Sequence, residues 1–338
     1  MSPARSTAVL ALLLLLLAAF AALSLTIGAV AVSPSGWWEV VFGGDPRGLG
    51  ALLFDFRLPR MLTALASGAA LAVAGLLMQT WFRNPLAGPD LLGITTGATL
   101  GAALAVLGTG GMLGGLFARF GVTSSAVLGA FFALLLIMLV GTRVRGNLAL
   151  LVSGMMLSFL MGAVVSMLTE LASANQVQSL VSWSFGSFGE VSRGRLPFLL
   201  LPVGAGLLLA VASVRSLDAL LLGEEHARSL GIPIHLARVT ILASAALLSG
   251  GVTAWCGPVA FIGLAVPHLA RLALGTSRHA LLLPGCALIG ASLALGADAA
   301  TFLPGGGRIL PLNAMTSLLG APVVLWIVLS GRHQQSLA

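Results

Sequence analysis

Asn84-Pro85-Leu86-Ala87-Gly88-Pro89-Asp90 is a polar, proline-broken stretch between two apolar runs of membrane-spanning length. Two prolines and an asparagine interrupt helical hydrogen bonding. At membrane depth, unpaired backbone groups are tolerated only inside protein or beside a water-filled cavity. Arg57-Leu58-Pro59-Arg60 stands one helix length earlier. A protein that only fills lipid does not need this arrangement, so the hinge (residues 84–90) indicates a moving, solute-handling membrane protein.

The composition places the chain in the integral membrane class. Of 338 residues, 58% are apolar, only 8% are charged and 43 are glycine, and the mean hydropathy is +1.06. Abundant glycine suits closely packed transmembrane helices. The net charge of +7 would suggest nucleic acid in a soluble protein. Here the arginines stand at the ends of apolar runs, where they anchor helices, so no nucleic acid partner is expected.

Lysine is absent, because all 17 residues in the Lys plus Arg count are arginine. A P-loop ATPase site needs its lysine beside the phosphates, so this chain cannot carry one. No HExxH, GxSxG or paired-carboxylate pattern lies within a span, which argues against an intramembrane enzyme. We expect no catalytic residues and no bound cofactor. If transport uses ATP and Mg²⁺, a partner subunit must hydrolyse the ATP.

The two cysteines predict packing rather than chemistry. Cys256 and Cys286 stand apart in apolar surroundings, with no CxxC motif or Cys/His cluster near either. Isolated apolar-flanked cysteines are typical of buried packing residues. Neither a metal site nor a disulfide is expected.

Ten apolar runs predict the fold class. Each is near the ~20 residues that a helix needs to cross a bilayer. The runs are residues 7–32, 60–81, 91–107, 122–140, 148–169, 196–214, 235–256, 259–274, 279–300 and 309–330. The first is longer than a signal-peptide core of about 7–15 residues, so we expect it to be retained. The chain is therefore predicted to be an all-α polytopic membrane protein with about ten transmembrane helices in one domain, residues 1–338.

Arginine placement predicts the orientation. With the N-terminus inside, the cytoplasmic helix ends hold more arginines than the outer ends, which favours cytoplasmic N- and C-termini by the positive-inside rule. The cytoplasmic set is Arg83, Arg143, Arg145, Arg215, Arg228, Arg238, Arg271, Arg278 and Arg332. The outer set is Arg47, Arg57, Arg60, Arg119, Arg193, Arg195 and Arg308.

The largest cytoplasmic segment, residues 216–234, predicts a short amphipathic helix. Its apolar side holds Leu220, Leu221, Ala227 and Leu230, and its charged side holds Glu224, Glu225 and Arg228. Gly231 is expected to end the helix, and Pro233 to prevent its continuation. The pattern fits an ordinary solvated loop helix, and it equally fits an element that docks into a groove on a soluble partner.

A series of short stretches runs in order from residue 57 to the C-terminal region. They are Arg57–Arg60, Gly68–Ala72 with Gly75 and Gln79, Arg83–Ala87, Asp90–Gly93 with Gly97 and Ala98, Trp183 with Gly186 and Ser187, Glu225–Gly231, Gly257 and Pro258, Phe261–Leu264, Pro267 and His268 with Arg271, Leu283 and Pro284, Gly290 and Ala291, Asp298, and Leu319–Pro322. Their ordered combination resembles the permease subunits of bacterial ABC importers for iron chelates, haem and cobalamin, the FecCD-type family.

The resemblance implies the type II ABC importer permease architecture, with ten helices per subunit and a homodimer whose interface forms the translocation path. It also implies a cytoplasmic ABC ATPase dimer, a periplasmic substrate-binding protein and a location in the bacterial cytoplasmic (inner) membrane. Transport would proceed by alternating access driven by ATP. The residues that would dock on the ATPase, as the family's coupling loop, are Glu224, Glu225, Ala227, Arg228, Leu230 and Gly231.

For the outer mouth, the resemblance implies that Arg57 and Arg60 pair with acidic residues of the binding protein. Arginine makes oriented contacts with carboxylates, although interfacial anchoring is an alternative. The chain departs from the family near this mouth, because Phe302 stands where related permeases have a basic residue nearby and Ile309 replaces an acidic one. Asp298 is expected to make a fixed polar contact.

Further residues are predicted for the translocation path or gate: Gly68, Ala72, Gly75, Gln79, Asn84 and Pro85. Helix packing alone is an alternative for the small residues, and Gln79 could instead cap a neighbouring helix. Asn84, Pro85 and Asp90 are expected to form an Asx-type turn that also acts as a flexing gate. For His268, a backbone hydrogen bond is preferred to a haem ligand or a proton relay.

The predicted function is the permease of an ATP-driven importer. A gradient-driven secondary transporter would need an ionisable cluster at the midplane, and the spans offer almost none. An iron chelate, siderophore or haem, is the first expectation for the substrate. Cobalamin is the alternative within the same family, because small apolar linings carry no chemical code.

Overall fold

The computed structural model describes residues 3–28, 33–43, 49–108, 112–144, 146–304 and 308–329, and in this part of the chain every regular element is a helix. Its α-helices are α1 (Pro3–Thr26), α2 (Pro34–Phe42), α3 (Leu58–Trp81), α4 (Ile94–Leu107), α5 (Met112–Arg143), α6 (Asn147–Glu170), α7 (Ala174–Ser184), α8 (Leu196–Ala212), α9 (Val214–Leu220), α10 (Glu224–Ser229), α11 (Ile234–Cys256), α12 (Ile262–Leu274), α13 (His279–Ala300) and α14 (Leu312–Leu329). The all-α prediction is confirmed.

Each of the ten predicted spans corresponds to one of these helices, namely α1, α3, α4, α5, α6, α8, α11, α12, α13 and α14. Six described helices are long and apolar enough to cross a membrane, and α8 with α9 makes a seventh if the 54° bend between them belongs to one span. Arg47, Arg145 and Arg332, used above for the orientation, lie outside the described residues.

Three of the ten helices are apolar but short: α4, α12 and α14. Helix α12 has 13 residues, which is about 20 Å at 1.5 Å per residue. The hydrocarbon core of a bilayer is about 30 Å thick. Helix α12 therefore crosses only part of that thickness, and non-helical backbone at its ends must be enclosed by protein.

Three predicted spans begin three residues too early, those of α4, α12 and α14, and left-handed residues set the helix start in the first two. Residues Pro89–Leu92 form a 3₁₀ turn, and Gly93 (φ 77°) separates it from α4. Phe261 (φ 66°) likewise precedes α12. The predicted run of α5 begins later than the helix, which starts at Met112. The helix breaks at Gly121 (φ 77°), just before the predicted apolar run.

Helix α3 is the centre of the fold. Every residue from Ala66 to Trp81 is buried, and α13, α11, α12 and α8 surround the helix. Its crossing with α13 brings backbone against backbone: a Cβ on Gly68 would lie 2.2 Å from the Gly290 carbonyl oxygen, and a Cβ on Gly290 would lie 2.4 Å from that of Gly68. Only glycine allows this approach.

The periphery is formed mainly by α5 and α6, whose side chains are largely exposed. Phe131, Phe132 and Leu135 on α5 and Phe159 and Leu160 on α6 are each more than half exposed. Apolar surface of this extent marks contact with membrane or with another subunit. The polar features described next lie instead at the two ends of α3.

Candidate functional site

The hinge turns the chain away from α3 at its C-terminal end, called here the hinge end. Arg83 has a left-handed backbone (φ 47°), and the Asn84 N–H donates to the Gln79 carbonyl at 3.1 Å. The Asn84 Oδ1 accepts a hydrogen bond of 2.9 Å from the Leu86 N–H. This is the Asx turn expected from the sequence.

Asp90 does not take part in that turn. Its Oδ1 accepts a 2.6 Å hydrogen bond from the Thr95 hydroxyl in the first turn of α4. An acidic side chain at a helix N-terminus also interacts favourably with the helix dipole. Asp90 therefore fixes the far side of the hinge to α4, which corrects its predicted role.

Helix α12 bonds to the middle of the hinge, at Pro85, and to Gln79 in the last turn of α3 before it. His268 is 1% exposed, and its Nε2 donates to the Pro85 carbonyl at 2.8 Å, since a carbonyl can only accept. Arg271 Nη1 donates to Gln79 Oε1 at 2.7 Å. Gln79 Nε2 in turn donates to the Leu264 carbonyl at 3.1 Å. The backbone-bonding role expected for His268 is confirmed, and Gln79 is buried and bridges the first turn of α12 and Arg271.

The small residues of α3 lie in helix contacts. Pro267 has no N–H, so the carbonyl of Gly263, four residues earlier, lacks its helical partner. That carbonyl points at α3, where a Cβ on Gly75 would lie 1.7 Å from its oxygen. Gly68, Ala72 and Gly75 are all buried and pack against α13 or α12, as the helix-packing alternative expects; their assignment to the path stays a prediction.

The coupling segment (residues 216–234) contains two helices instead of the single one predicted. Helix α9 ends at Leu220, and α10 begins at Glu224, after Gly223 with φ 102°. Only glycine adopts such a backbone without strain. Gly231 (φ 81°) follows α10, as predicted for the helix stop.

The coupling segment carries exposed apolar side chains among charges. Leu222 and Leu230 are each 64% exposed, whereas Ala227 is fully buried. The prediction that Leu230 lies on the same side as Ala227 is therefore wrong. Helix α10 ends at Ser229, so Leu230 does not continue its helical pattern. Glu224 and Arg228 face each other across 3.8 Å on the surface. Exposed leucines flanked by charges have the composition of a protein contact surface.

The residue before the hinge is a neighbour of the coupling segment. A Cβ on Gly223 would lie 3.6 Å from Nη1 of Arg83, so the Arg83 side chain reaches the break between α9 and α10. A second connection runs through His279 at the start of α13. Its Nδ1 lies 2.7 Å from Asp218 Oδ1, and its Nε2 lies 2.9 Å from Thr80 Oγ1.

No sequence pattern indicates this second connection. Asp218, His279 and Thr80 lie on three different helices, and each pair is far apart along the chain, with Thr80 and His279 199 positions apart. No local motif links them, and each residue taken alone is unremarkable at the end of an apolar run.

At the opposite end of α3, Arg57 and Arg60 are engaged within the protomer. Arg57 is 7% exposed, and its Nη1 donates to the Leu25 carbonyl of α1. Arg60 donates to both carboxylate oxygens of Asp298, at 2.8–3.1 Å, which is the fixed contact expected for Asp298. The Arg60 guanidinium also lies 4.5 Å from the centre of the Phe302 ring, a cation–π distance.

The role of Arg57 and Arg60 in docking a partner stays a prediction. The Arg60 side chain is 21% exposed, so part of its guanidinium reaches the surface. More exposed charge lies next to it, because Arg193 and Asp55 form a surface pair at 3.5 Å with 71% and 53% of their side chains exposed. Any partner at this end therefore meets a mixed-charge surface.

Metal-binding groups of three or more His, Cys, Asp or Glu side chains do not occur among the described residues. Cys256 and Cys286 are buried and unpaired with each other. The Cys256 Sγ lies 3.6 Å from the Ser67 hydroxyl of α3. Both cysteines therefore occupy packing positions in helices α11 and α13.

Comparisons with known proteins agree with this architecture. The model of the FecCD transport family matches residues 14–330. The hemin transport system permease protein HmuU of Yersinia pestis is 37% identical over 331 residues, covering 97% of both chains. The vitamin B12 import system permease protein BtuC of Escherichia coli O9:H4 (strain HS) is 36% identical over 311 residues, covering 92% of this chain and 91% of BtuC.

A solved structure shows the same fold. It is described as an inward-facing conformation of a metal-chelate type ABC transporter, and it matches with a TM-score of 0.82 and 31% sequence identity over 96% of this chain and 99% of the other. The family match covers nearly the whole chain, and these relatives cover 92–97% of it. The chain belongs to the FecCD transport family.

Proposed function

We propose that this chain is the permease of an importer that moves an iron chelate, siderophore or haem, across the bacterial cytoplasmic membrane by alternating access. Two of the three similar proteins above are named for hemin or for a metal chelate, which supports an iron chelate as the first choice. The vitamin B12 permease is almost equally similar, so cobalamin is the alternative substrate.

One observation carries the mechanism: the side chain of Arg83, the residue just before the hinge, reaches Gly223 in the coupling segment. ATPase activity in this family resides in a separate partner subunit, which would use ATP and Mg²⁺. The exposed Leu222 and Leu230 with Glu225 and Arg228 form a surface on which that partner docks. Movement of the surface would reach the hinge through Arg83 and Gly223, which are already neighbours.

The proposed assembly contains a second copy of this chain, an ATPase dimer at the hinge end and a substrate-binding protein at the opposite end. The hinge end would face the cytoplasm, with both termini inside. The homodimer follows the family resemblance, and exposed apolar side chains on α6 and α14, among them Phe159, Met167, Leu318 and Leu325, would meet either the second copy or lipid. A path between two copies is also consistent with the packed interior of the single protomer.

The test begins with purification of the chain from its native membrane and identification of the proteins that accompany it. Recovery of a P-loop ATPase and a binding protein is expected. The complex is then placed in lipid vesicles with the binding protein on one side and ATP on the other. ATP-dependent uptake of hemin or a ferric siderophore supports the proposal. If only cobalamin is taken up, the substrate is cobalamin and not an iron chelate.

A different outcome would reject the mechanism. If the purified chain alone moved solute down a proton or sodium gradient without ATP, it would act as a secondary transporter. That class uses ionisable side chains near the bilayer midplane. Collapsing the gradient with an ionophore separates the two mechanisms, because ATP-driven uptake continues after the gradient is lost.

A further inference from the structure

The imidazole of His279 connects three helices at the hinge end. The side chain is 1% exposed, and its Nδ1 lies 2.7 Å from Asp218 Oδ1 on α9. The same carboxylate oxygen accepts the His279 backbone N–H at 2.9 Å. On the other side of the ring, Nε2 lies 2.9 Å from the hydroxyl of Thr80 on α3. Both ring nitrogens thus bind side chains of different helices.

The direction of each hydrogen bond follows from the chemistry of the groups. An ionised carboxylate only accepts, so His279 Nδ1 carries a proton and donates it to Asp218. In the neutral imidazole the other nitrogen is an acceptor, and the Thr80 hydroxyl donates to it. Thr80 and His279 are buried, and a buried polar group that loses its partner costs free energy, so these hydrogen bonds hold the two side chains in one arrangement with Asp218.

These residues lie between the two parts that would move in the proposed transporter, the coupling segment and the hinge. Asp218 lies in α9, which packs against α10, α13 and α3. Thr80 lies next to the hinge, and its carbonyl accepts the Arg83 N–H at 3.2 Å. The chain of contacts therefore runs from the coupling segment through His279 and Thr80 to Arg83, the residue just before the hinge.

We propose that Asp218, His279 and Thr80 form a coupling link, which passes a displacement of the coupling segment to the end of α3 and to the hinge. The inference rests on the proposed function, because it needs an ATPase that moves the coupling segment. The three are positioning residues, because they would act through the coupling segment and α3 and not on the solute itself. Spatial connection alone does not prove energetic coupling, so the link is tested by breaking it one bond at a time.

The test compares matched variants in the complete transporter with its ATPase and binding protein. Thr80→Val keeps the shape of the side chain but removes the hydroxyl, whereas Thr80→Ser keeps the hydroxyl. Asp218→Ala removes the acceptor, whereas Asp218→Asn keeps an acceptor oxygen. Ser249→Ala is the control for loss of a buried hydroxyl, since Ser249 is fully buried and bonds only its own helix, at Ala245.

Two quantities are measured for each variant: solute taken up per ATP hydrolysed, and hydrogen exchange of the hinge peptide with and without ATP. Thr80→Val and Asp218→Ala are expected to lower the uptake per ATP by roughly fivefold, the effect of one net hydrogen bond. They should also remove the ATP-dependent change in hinge exchange. Thr80→Ser, Asp218→Asn and Ser249→Ala should resemble the wild type.

The outcomes separate the link from the proposed function. If the wild-type complex shows no ATP-driven uptake, the proposed function fails. If the wild type transports and both Thr80→Val and Asp218→Ala keep its uptake per ATP and its hinge response, the link is wrong. Should one variant not assemble, the other decides, because Asp218 is 40% exposed and its replacement leaves no sealed cavity.

Discussion

The His268 imidazole and the Pro85 carbonyl oxygen are joined by a hydrogen bond of 2.8 Å between α12 and the middle of the hinge. Pro85 and Pro89 prevent the hinge from forming a helix, so side chains of neighbouring helices must satisfy its backbone. Arg271, one turn further along α12, binds Gln79 just before the hinge. Helix α12 and the hinge are therefore expected to move together.

Replacing His268 by leucine should loosen the hinge. The leucine fills most of the space but leaves the Pro85 carbonyl without its donor, which costs about 1–3 kcal/mol for a buried group. Thermal unfolding of the purified protein measures the loss of stability, and hydrogen exchange at residues 84–90 locates it. The exposed His235 provides the control as His235→Leu. Equal melting temperatures for the two variants would show that the bond does not hold the hinge.

Adding one methyl group at Gly75 should disturb the contact between α3 and α12. The new Cβ would meet the Gly263 carbonyl oxygen at 1.7 Å, so the helices must separate, at a cost of about 1–3 kcal/mol or more for an overpacked core. Gly204→Ala on α8 is the control, since no atom lies within 4 Å of its added Cβ. Denaturation midpoints in mixed detergent micelles compare them, and a Gly75→Ala midpoint equal to that of the control would contradict the packing described here.

Sequence patterns predicted the helices well because hydrophobic runs and prolines act locally. Each of the ten apolar runs became a helix, and the stop at Gly231 and the Asx turn at Asn84 depend on neighbours only a few residues away. The errors arose where backbone conformation was decided by one residue. The left-handed Phe261 shortened its span, and Gly223 divided the coupling segment.

Contacts between distant helices were not predictable from the same patterns. Arg60 and Asp298 are separated by 238 residues, and nothing near Arg60 indicates that its partner lies within the protomer. For a related reason, the sequence does not decide between path lining and helix packing for the small residues of α3. A small residue leaves room for either a solute or another backbone, and only the helix crossing angles decide which of the two occupies it.

A β-branched residue at Gly231 should uncouple the ATPase from transport. Gly231 has φ 81°, a left-handed backbone that costs an ordinary residue roughly 1–2 kcal/mol and valine more. Gly231→Val should therefore shift the end of α10 and the exposed Leu230 beside it. Asparagine tolerates this backbone, so Gly231→Asn is the matched control. We expect ATP hydrolysis to continue in Gly231→Val while uptake per ATP falls severalfold; normal coupled uptake would rule this role out.

Exchanging the charges of Arg60 and Asp298 should separate the contribution of Arg60 to stability from its predicted role in docking the binding protein. Arg60→Glu places two carboxylates together around the nearly buried Asp298, and breaking a buried ion pair costs about 3–5 kcal/mol. The double variant Arg60→Glu with Asp298→Arg restores an ion pair and should recover most of the thermal stability. If Arg60 also meets acidic residues of the binding protein, the double variant should still bind that protein more weakly than the wild type, as measured by surface plasmon resonance with the transporter in nanodiscs. Wild-type affinity in the stable double variant would confine Arg60 to its bond with Asp298, and the docking charge would then be sought at Arg193 and Arg195.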